Sequence, residues 1–150
     1  MQNNKNMITR KVIVIGAVGA GKSSLLGAFK GSNSEAKKTQ SIIYDAQTID
    51  TPGEYMENPT MYRYIIATAQ NVEFVVFLQD STQRRCIYPP GFAQSFNGIS
   101  IGVVTKIDDE KADVEYAKKN LISLCIKGPI FETSSKSGYG IKELIKYLKI

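Results

Sequence analysis

Blocks of consecutive apolar residues, many of them β-branched, alternate along the chain with stretches in which apolar residues return every three or four positions. The blocks predict buried strands, because a strand covered on both faces needs apolar side chains on both of them. The spaced pattern predicts helices with one face on a core. The predicted strands are residues 11–16, 40–45, 46–50, 72–80, 99–106 and 129–134. The predicted helices are residues 22–30, 59–71, 112–126 and 141–148, with a short one at 92–96.

This order of elements predicts an α/β fold, a three-layer sandwich in which a doubly wound, mainly parallel, six-stranded sheet lies between two layers of helices. The 150 residues are expected to form one domain, with residues 1–9 as a flexible N-terminal tail. Two prolines within residues 81–98 exclude a long helix there. Ligands of such sheets bind at the carboxyl ends of the strands, so polar residues at those ends form the candidate site.

Composition narrows the function classes. The chain is 43% hydrophobic and 22% charged, as is typical of a globular protein. No apolar run approaches the roughly 20 residues of a membrane span, and the first residues lack the apolar core of a secretory signal, so a cytoplasmic protein is expected. The chain contains no histidine, which removes any imidazole base and argues against a transition-metal site.

Cysteine spacing and charge add two expectations. Cys86 and Cys125 match no zinc or redox spacing and predict reduced thiols, with Cys125 inside the core. The net charge is +5, but the lysines are scattered along the chain. This pattern indicates a solvated basic surface, and no nucleic-acid partner is expected.

The segment GAVGAGKS, residues 16–23, matches the pattern G-x-x-x-x-G-K-[ST] between a predicted strand and a predicted helix. Its backbone N–H groups are expected to surround the β-phosphate of a nucleotide, with the helix N-terminus adding positive potential. Lys22 would contact the β- and γ-phosphates, and the Ser23 hydroxyl would bind Mg²⁺. The alternative is a glycine-rich turn with a chance lysine. The predicted phosphate-site residues are Gly16, Val18, Gly19, Ala20, Gly21, Lys22, Ser23 and Ser24.

A second motif, IDTPGE, follows the next apolar strand at residues 49–54. Asp50 is expected to hold a Mg²⁺-bound water, and the Gly53 backbone N–H to approach the γ-phosphate. Standing alone, DTPG is also an ordinary turn. Thr39 is the candidate to cover Mg²⁺ and the γ-phosphate, or else it leads a strand with its hydroxyl in solvent.

Two further motifs, TKID and TSSK, end the last two predicted strands and suit a guanine base. The Asp108 carboxylate can accept hydrogen bonds from guanine N1–H and the exocyclic amine, whereas adenine presents an acceptor at N1. The stems of Lys106 and Lys136 would cover the two faces of the base, and the Ser135 N–H would donate to O6. The predicted base-site residues are Thr105, Lys106, Asp108, Ser134, Ser135 and Lys136.

Taken in order, these motifs resemble those of small Ras-type GTPases, which implies the P-loop NTPase version of the sandwich. The segments KKTQSIIYD, IDTPGEYMENP, MYRYIIATA, PPGFAQSF and GVVTKID resemble more closely the EutP/PduV proteins. That resemblance implies a cytoplasmic bacterial protein linked to ethanolamine utilisation and its microcompartment. Some members are credited with acetate kinase activity, which would make ATP the alternative to GTP and GDP.

Three positions depart from the Ras-type pattern. Val18 stands where glycine leaves clearance near the γ-phosphate, and Glu54 stands where glutamine orients the attacking water. Thr105 replaces an asparagine, but its hydroxyl can still bond to the phosphate loop. With Lys22, Gly53 and Glu54 as the expected catalytic residues, slow Mg²⁺-dependent GTP hydrolysis is predicted.

Three functions therefore remain open. The first is a guanine-nucleotide switch whose loops 31–41 and 53–62 signal to an unidentified protein effector or microcompartment component. The second is an ATP-dependent acetate kinase, against which Asp108 argues. In it, Arg84 and Arg85 would form a lid over the transferred phosphate, although a solvated loop also accounts for them. The third is a structural module that binds a nucleotide without turnover.

Overall fold

The computed structural model describes residues 11–29, 43–44 and 48–150, so the predicted tail at 1–9 and the candidate Thr39 lie outside the described residues. Strands and helices alternate through these ranges. The strands are β1 Val12–Ile15, β2 Ile43–Tyr44, β3 Thr48–Asp50, β4 Phe74–Asp80, β5 Ile99–Thr105 and β6 Ile130–Glu132. The helices are α1 Lys22–Phe29, α2 Gly53–Met56, α3 Tyr62–Thr68, α4 Val114–Ile122 and α5 Ile141–Leu148.

The strands form one six-stranded sheet in the order β2-β3-β1-β4-β5-β6. Strands β3, β1, β4, β5 and β6 are parallel, and the edge strand β2 pairs antiparallel with β3. The predicted mainly parallel α/β sheet is therefore confirmed. Because the strand order reverses beside β1, the carboxyl end of β1 lies at the position where such sheets bind ligands.

Two apolar clusters cover the two faces of the sheet, which explains the unbroken apolar runs. Ile13 of β1 and Phe77 of β4 belong to one cluster, and Val14 and Leu78 belong to the other. Successive residues of a strand point to opposite faces, so a strand covered on both sides needs apolar residues at every position. The core thereby fixes the ends of β1, β4 and β5 at one rim.

The helical segments differ from the sequence prediction in two places. The helix predicted at 59–71 is shortened to α3, which follows the unpredicted helix α2 and a 3-10 turn at Pro59–Met61. The Asn58 side chain accepts from the Thr60 N–H and starts that turn. Helix α4 ends at Ile122, and Cys125 then adopts a left-handed φ of 63° and is exposed. The prediction that Cys125 fills the core is therefore wrong.

The connection between β4 and β5 contains only a short 3-10 helix at Phe92–Ser95, close to the predicted short helix. Its side of the sheet is covered instead by aromatic rings, among them Tyr88, which meets Phe77 edge to face. The Tyr88 hydroxyl is buried 2.6 Å from the Leu78 carbonyl oxygen and 3.1 Å from that of Ile15. Burial raises the pKa of this phenol well above its ordinary value. Among the described residues, no long helix covers this part of the sheet. Tyr88 packs there instead, with its hydroxyl against the last carbonyl of β1.

Tyr88→Phe is expected to lower the free energy of unfolding by about 1–3 kcal/mol, because the buried carbonyls of Leu78 and Ile15 lose the single hydroxyl donor that they share. Urea denaturation measures the difference. Tyr64→Phe is the matched control, since Tyr64 is exposed, and it should leave stability unchanged. Equal stability of Tyr88→Phe and the unaltered protein would contradict this role.

Within the part of the chain that the structure describes, no helix is both long enough and apolar enough to cross a membrane.

Candidate nucleotide-binding site

The phosphate loop lies between β1 and α1 and has the backbone of an anion cradle. Gly19 and Gly21 adopt φ values of 78° and 102°, which side chains rarely tolerate. The Ala20 N–H donates to the Ala17 carbonyl at 3.1 Å and closes the turn. The loop opens onto the N-terminus of α1, so its remaining amides and the helix dipole share one opening.

Lys22, the first residue of α1, supplies the positive charge of this loop. Its side chain reaches back over the loop, where Nζ donates to the carbonyls of Gly16 at 3.0 Å and Ala17 at 3.1 Å. The residue is only 6% exposed. Burial lowers the pKa of Lys22 from its ordinary value, and the nearby Asp50 and Glu54 oppose that shift. A desolvated ammonium held in this way is ready to pair with a phosphate.

Strand β3 ends beside the same loop. Asp50 is buried and pairs in register with Val14 of β1, and the Thr51 hydroxyl donates to the Val14 carbonyl at 2.9 Å. Helix α2 then begins at Gly53, where a Cβ atom would lie 2.4 Å from the Val18 nitrogen. Only glycine permits this contact, so the DTPG segment packs directly against the phosphate loop.

Two oxygen-bearing side chains at this rim are of the type that Mg²⁺ prefers. Asp50 offers a buried carboxylate and Ser23 a hydroxyl on the first turn of α1, both of which are hard donors. No group of three or more acidic, histidine or cysteine side chains that could hold a metal occurs among the described residues. The third predicted ligand, Thr39, lies outside the described ranges.

The loop after β5 is fastened to the phosphate loop by two side chains. The Thr105 hydroxyl donates to the Ala20 carbonyl at 2.7 Å, so the bond expected from this residue is present. Lys106 has a left-handed φ of 61°, and its Nζ donates to the Gly19 carbonyl at 2.7 Å. The Lys106 ammonium also lies 2.8 Å from Oδ2 of Asp80, at the end of β4. The base loop and the phosphate loop therefore form one connected unit.

A cavity of about 280 Å³ opens between this unit and the loop after β6. Asp108 stands at its wall, and a hydrogen bond from the Ser134 side chain, with Lys136 nearby, keeps the pKa of the Asp108 carboxyl below its usual range. The carboxylate is thus ionised at neutral pH and accepts hydrogen bonds only. The lining residues are Gly21, Ser24, Thr105, Lys106, Asp108, Asp109, Ser135 and Lys136.

The structure thus brings most of the predicted residues to one rim of the sheet and adds Asp80, which the motifs did not indicate. Its only signal in the sequence is an acidic residue at the end of a mostly apolar strand. Arg84 and Arg85, for which both a solvated loop and a lid were considered, have exposed side chains in ion pairs. Arg84 lies 2.6 Å from Asp113, and Arg85 lies 3.0 Å from Glu57.

A phosphate loop after β1, an acidic residue ending β3 and two loops around a cavity after β5 and β6 define a P-loop NTPase domain of the small-GTPase fold. A solved structure, Methanosarcina barkeri Roco2 RocCORdC bound to GDP, shares this fold with a TM-score of 0.65 and 21% identity. The alignment covers 95% of this chain and 48% of that one, so the chain spans about half the length of that structure.

Residues 9–150 match the PduV-EutP family, described as ethanolamine utilisation and propanediol utilisation. The chain belongs to this family. It is 33% identical over 141 residues to "Probable acetate kinase EutP" of Salmonella typhimurium, covering 93% of this chain and 89% of that protein. The Escherichia coli K12 protein of the same name is 33% identical over 143 residues, with the same coverage. "Propanediol utilization protein PduV" of Citrobacter freundii is 29% identical over 139 residues, covering 93% of each chain.

Proposed function

We propose that this protein binds GTP and GDP with Mg²⁺ and hydrolyses GTP slowly in ethanolamine or propanediol utilisation. Its place would be the cytoplasm, in contact with a protein effector or a microcompartment component. The observation that carries the guanine assignment is the ionised Asp108 carboxylate at the wall of the cavity beside the phosphate loop.

Guanine satisfies this carboxylate and adenine does not. Guanine offers N1–H and an exocyclic amine on one edge, and a carboxylate can accept both. Adenine presents a lone pair at N1, which leaves the carboxylate facing an acceptor. The Ser134 side chain donates to Asp108 and so favours the ionised form that this recognition needs. The stems of Lys106 and Lys136 and the Ser135 N–H complete the proposed base site.

The phosphates would lie in the loop between β1 and α1. The desolvated Lys22 ammonium would pair with the β- and γ-phosphates, and the Gly53 N–H would approach the γ-phosphate from α2. Mg²⁺, held by Ser23, Asp50 and Thr39, would supply charge neutralisation of the phosphate oxygens. In this proposal the chain's own residues orient and shield the triphosphate, and water is the acceptor of the γ-phosphoryl group.

Hydrolysis is proposed to be slow because Glu54, at the start of α2, brings a second negative charge to the position that orients water. Glu54→Gln is therefore expected to accelerate single-turnover GTP hydrolysis about tenfold, since the amide orients water without repelling the phosphate oxygens. Rapid-quench measurement of released phosphate tests this. Glu143→Gln on the exposed side of α5 should leave the rate unchanged. A slower Glu54→Gln variant would assign the glutamate a base role instead.

An acetate kinase is the second candidate, because relatives at 33% identity carry that name and a second cavity exists beside the phosphate loop. This cavity has a volume of about 60 Å³ and is lined by Val18, Gln79, Gln83 and Arg85, among others. A small carboxylate fits such a volume, given that one water occupies about 30 Å³. The γ-phosphoryl group of ATP would pass to a carboxylate oxygen and form acetyl phosphate and ADP.

Turnover of GTP and ATP, each with and without acetate, separates the two candidates. The proposed GTPase releases phosphate from GTP in the presence of Mg²⁺, and acetate leaves that rate unchanged. An acetate kinase forms acetyl phosphate from ATP only when acetate is present. Acetate-dependent consumption of ATP that exceeds GTP hydrolysis would overturn the first proposal and establish the second.

A further inference from the structure

Asp80 is an acidic residue in a buried position outside the nucleotide motifs. It ends β4 and is 6% exposed. Its Oδ1 accepts from the Thr82 N–H at 2.8 Å and from the Thr82 hydroxyl at 2.6 Å. Its Oδ2 accepts from the Lys106 ammonium at 2.8 Å. The two oxygens of this one side chain therefore accept three hydrogen bonds from two elements of the rim.

Lys106 connects Asp80 to the phosphate loop, because its ammonium contacts both. The same ammonium that meets Asp80 donates to the Gly19 carbonyl, which lies in the middle of that loop. Thr105, the preceding residue, holds Ala20. Without a fixed counter-ion, a lysine side chain that is 42% exposed would distribute over many rotamers. The buried carboxylate selects the one that reaches Gly19.

We infer that Asp80 is a positioning residue for the nucleotide site: through Lys106 it fastens the phosphate loop to the base loop and thereby slows nucleotide release. The inference rests on the proposed nucleotide binding but not on the choice of base. Asp80 sits at the end of a seven-residue core strand, β4, so the fastening point is part of the rigid sheet. The two loops are held in their binding geometry before a nucleotide arrives, which reduces the ordering cost of binding.

In this arrangement, different residues control how long a nucleotide stays bound and which base is preferred. In the proposed function, Asp108 recognises the base edge, whereas Asp80 does not line the cavity of about 280 Å³ and acts on loop geometry. Asp80 lines the smaller cavity of about 60 Å³ on the other side of the phosphate loop. A change at Asp80 should therefore speed the release of guanine and adenine nucleotides by the same factor. A change at Asp108 should alter the ratio between them.

Asp80→Asn is the decisive variant, because asparagine has the same shape but must turn one N–H₂ donor toward either Lys106 or Thr82. We expect release of fluorescently labelled GDP to become at least about tenfold faster, with the GDP-to-ADP affinity ratio unchanged. Thr82→Val is the matched control. It removes a hydroxyl partner of Asp80 but leaves Lys106 in place, so release should change by less than about twofold.

A double-mutant cycle tests whether Asp80 acts through Lys106. Lys106→Met keeps an apolar stem over the base but loses the ammonium. In that background, Asp80→Asn should add less than about a twofold change in release, because its target is already absent. Additive effects, or a release rate in Asp80→Asn equal to that of the unaltered protein, would overturn the inference.

Hydrogen exchange in the nucleotide-free protein provides a readout that does not depend on ligand binding. Amides of residues 17–21 should exchange faster in Asp80→Asn than in Thr82→Val, while β4 and β5 keep their protection. If no nucleotide binds at all, the proposed function fails together with the effect on release, and the exchange difference still decides whether Asp80 fastens the phosphate loop. Equal loop protection in the two variants would overturn it.

Discussion

Asp108→Asn is expected to lower the preference for GDP over ADP by at least about 100-fold, because the bond to N1–H loses its charged acceptor and an amide donor then faces the guanine amine. Asparagine can match xanthine instead, since its oxygen accepts from N1–H and its N–H donates to the C2 carbonyl. Titration calorimetry with GDP, ADP and xanthosine diphosphate measures the three affinities.

Asp109→Asn provides the control for charge. Asp109 lines the same cavity one position along the chain, and its Oδ1 accepts from the Lys111 N–H. Its substitution removes the same charge and should leave the guanine preference unchanged. An Asp108→Asn variant that still favours GDP over ADP by the original factor would show that another residue reads the base.

Lys22→Met is expected to weaken GTP binding at least about 100-fold, because the triphosphate loses the desolvated cation of its cradle. The same substitution should change the melting temperature of the nucleotide-free protein little, because relief from burying the charge offsets the loss of the hydrogen bonds to the Gly16 and Ala17 carbonyls. Since the pKa of Lys22 lies below its ordinary value, its charge is less stable in the folded chain than in water, even with Asp50 nearby. Calorimetry for binding and thermal unfolding without nucleotide give the two results.

The pH dependence of that stability difference has a definite sign. A lysine whose pKa is lowered on folding penalises the folded state at neutral pH, and the penalty fades as pH rises from the lowered pKa towards the ordinary lysine value. Any gain in Lys22→Met should therefore be present at neutral pH and shrink at alkaline pH. Lys119→Met, an exposed position on α4, should show neither effect. GTP affinity retained in Lys22→Met would contradict the phosphate assignment.

The sheet and the motif positions could be predicted from the sequence for one physical reason. Strands β1, β4 and β5 are covered on both faces, and only unbroken apolar runs satisfy that environment. The motifs follow these strands directly. A correct prediction of the strands therefore also predicts that the motifs meet at one rim of the sheet. Gly19 and Gly21 were predictable as well, because the positive φ of the loop backbone at these positions favours glycine. That need is local, so the spacing of the motif is enough to reveal it.

The features that escaped prediction depend on contacts between distant parts of the chain. Asp80 meets Lys106 across 26 positions, and no local pattern indicates such a pair. Tyr88 takes its role from carbonyls of Ile15 and Leu78, which belong to two different strands. Cys125 was placed in the core by extending helical periodicity past Ile122, where the helix had already ended.

Titration of the nucleotide-free protein with GDP, and separately with ADP in the same Mg²⁺ buffer, tests the central claim most directly. We expect one GDP per chain, bound at least about 100-fold more tightly than ADP. ADP binding as tight as GDP binding, or no heat from either nucleotide, would contradict it.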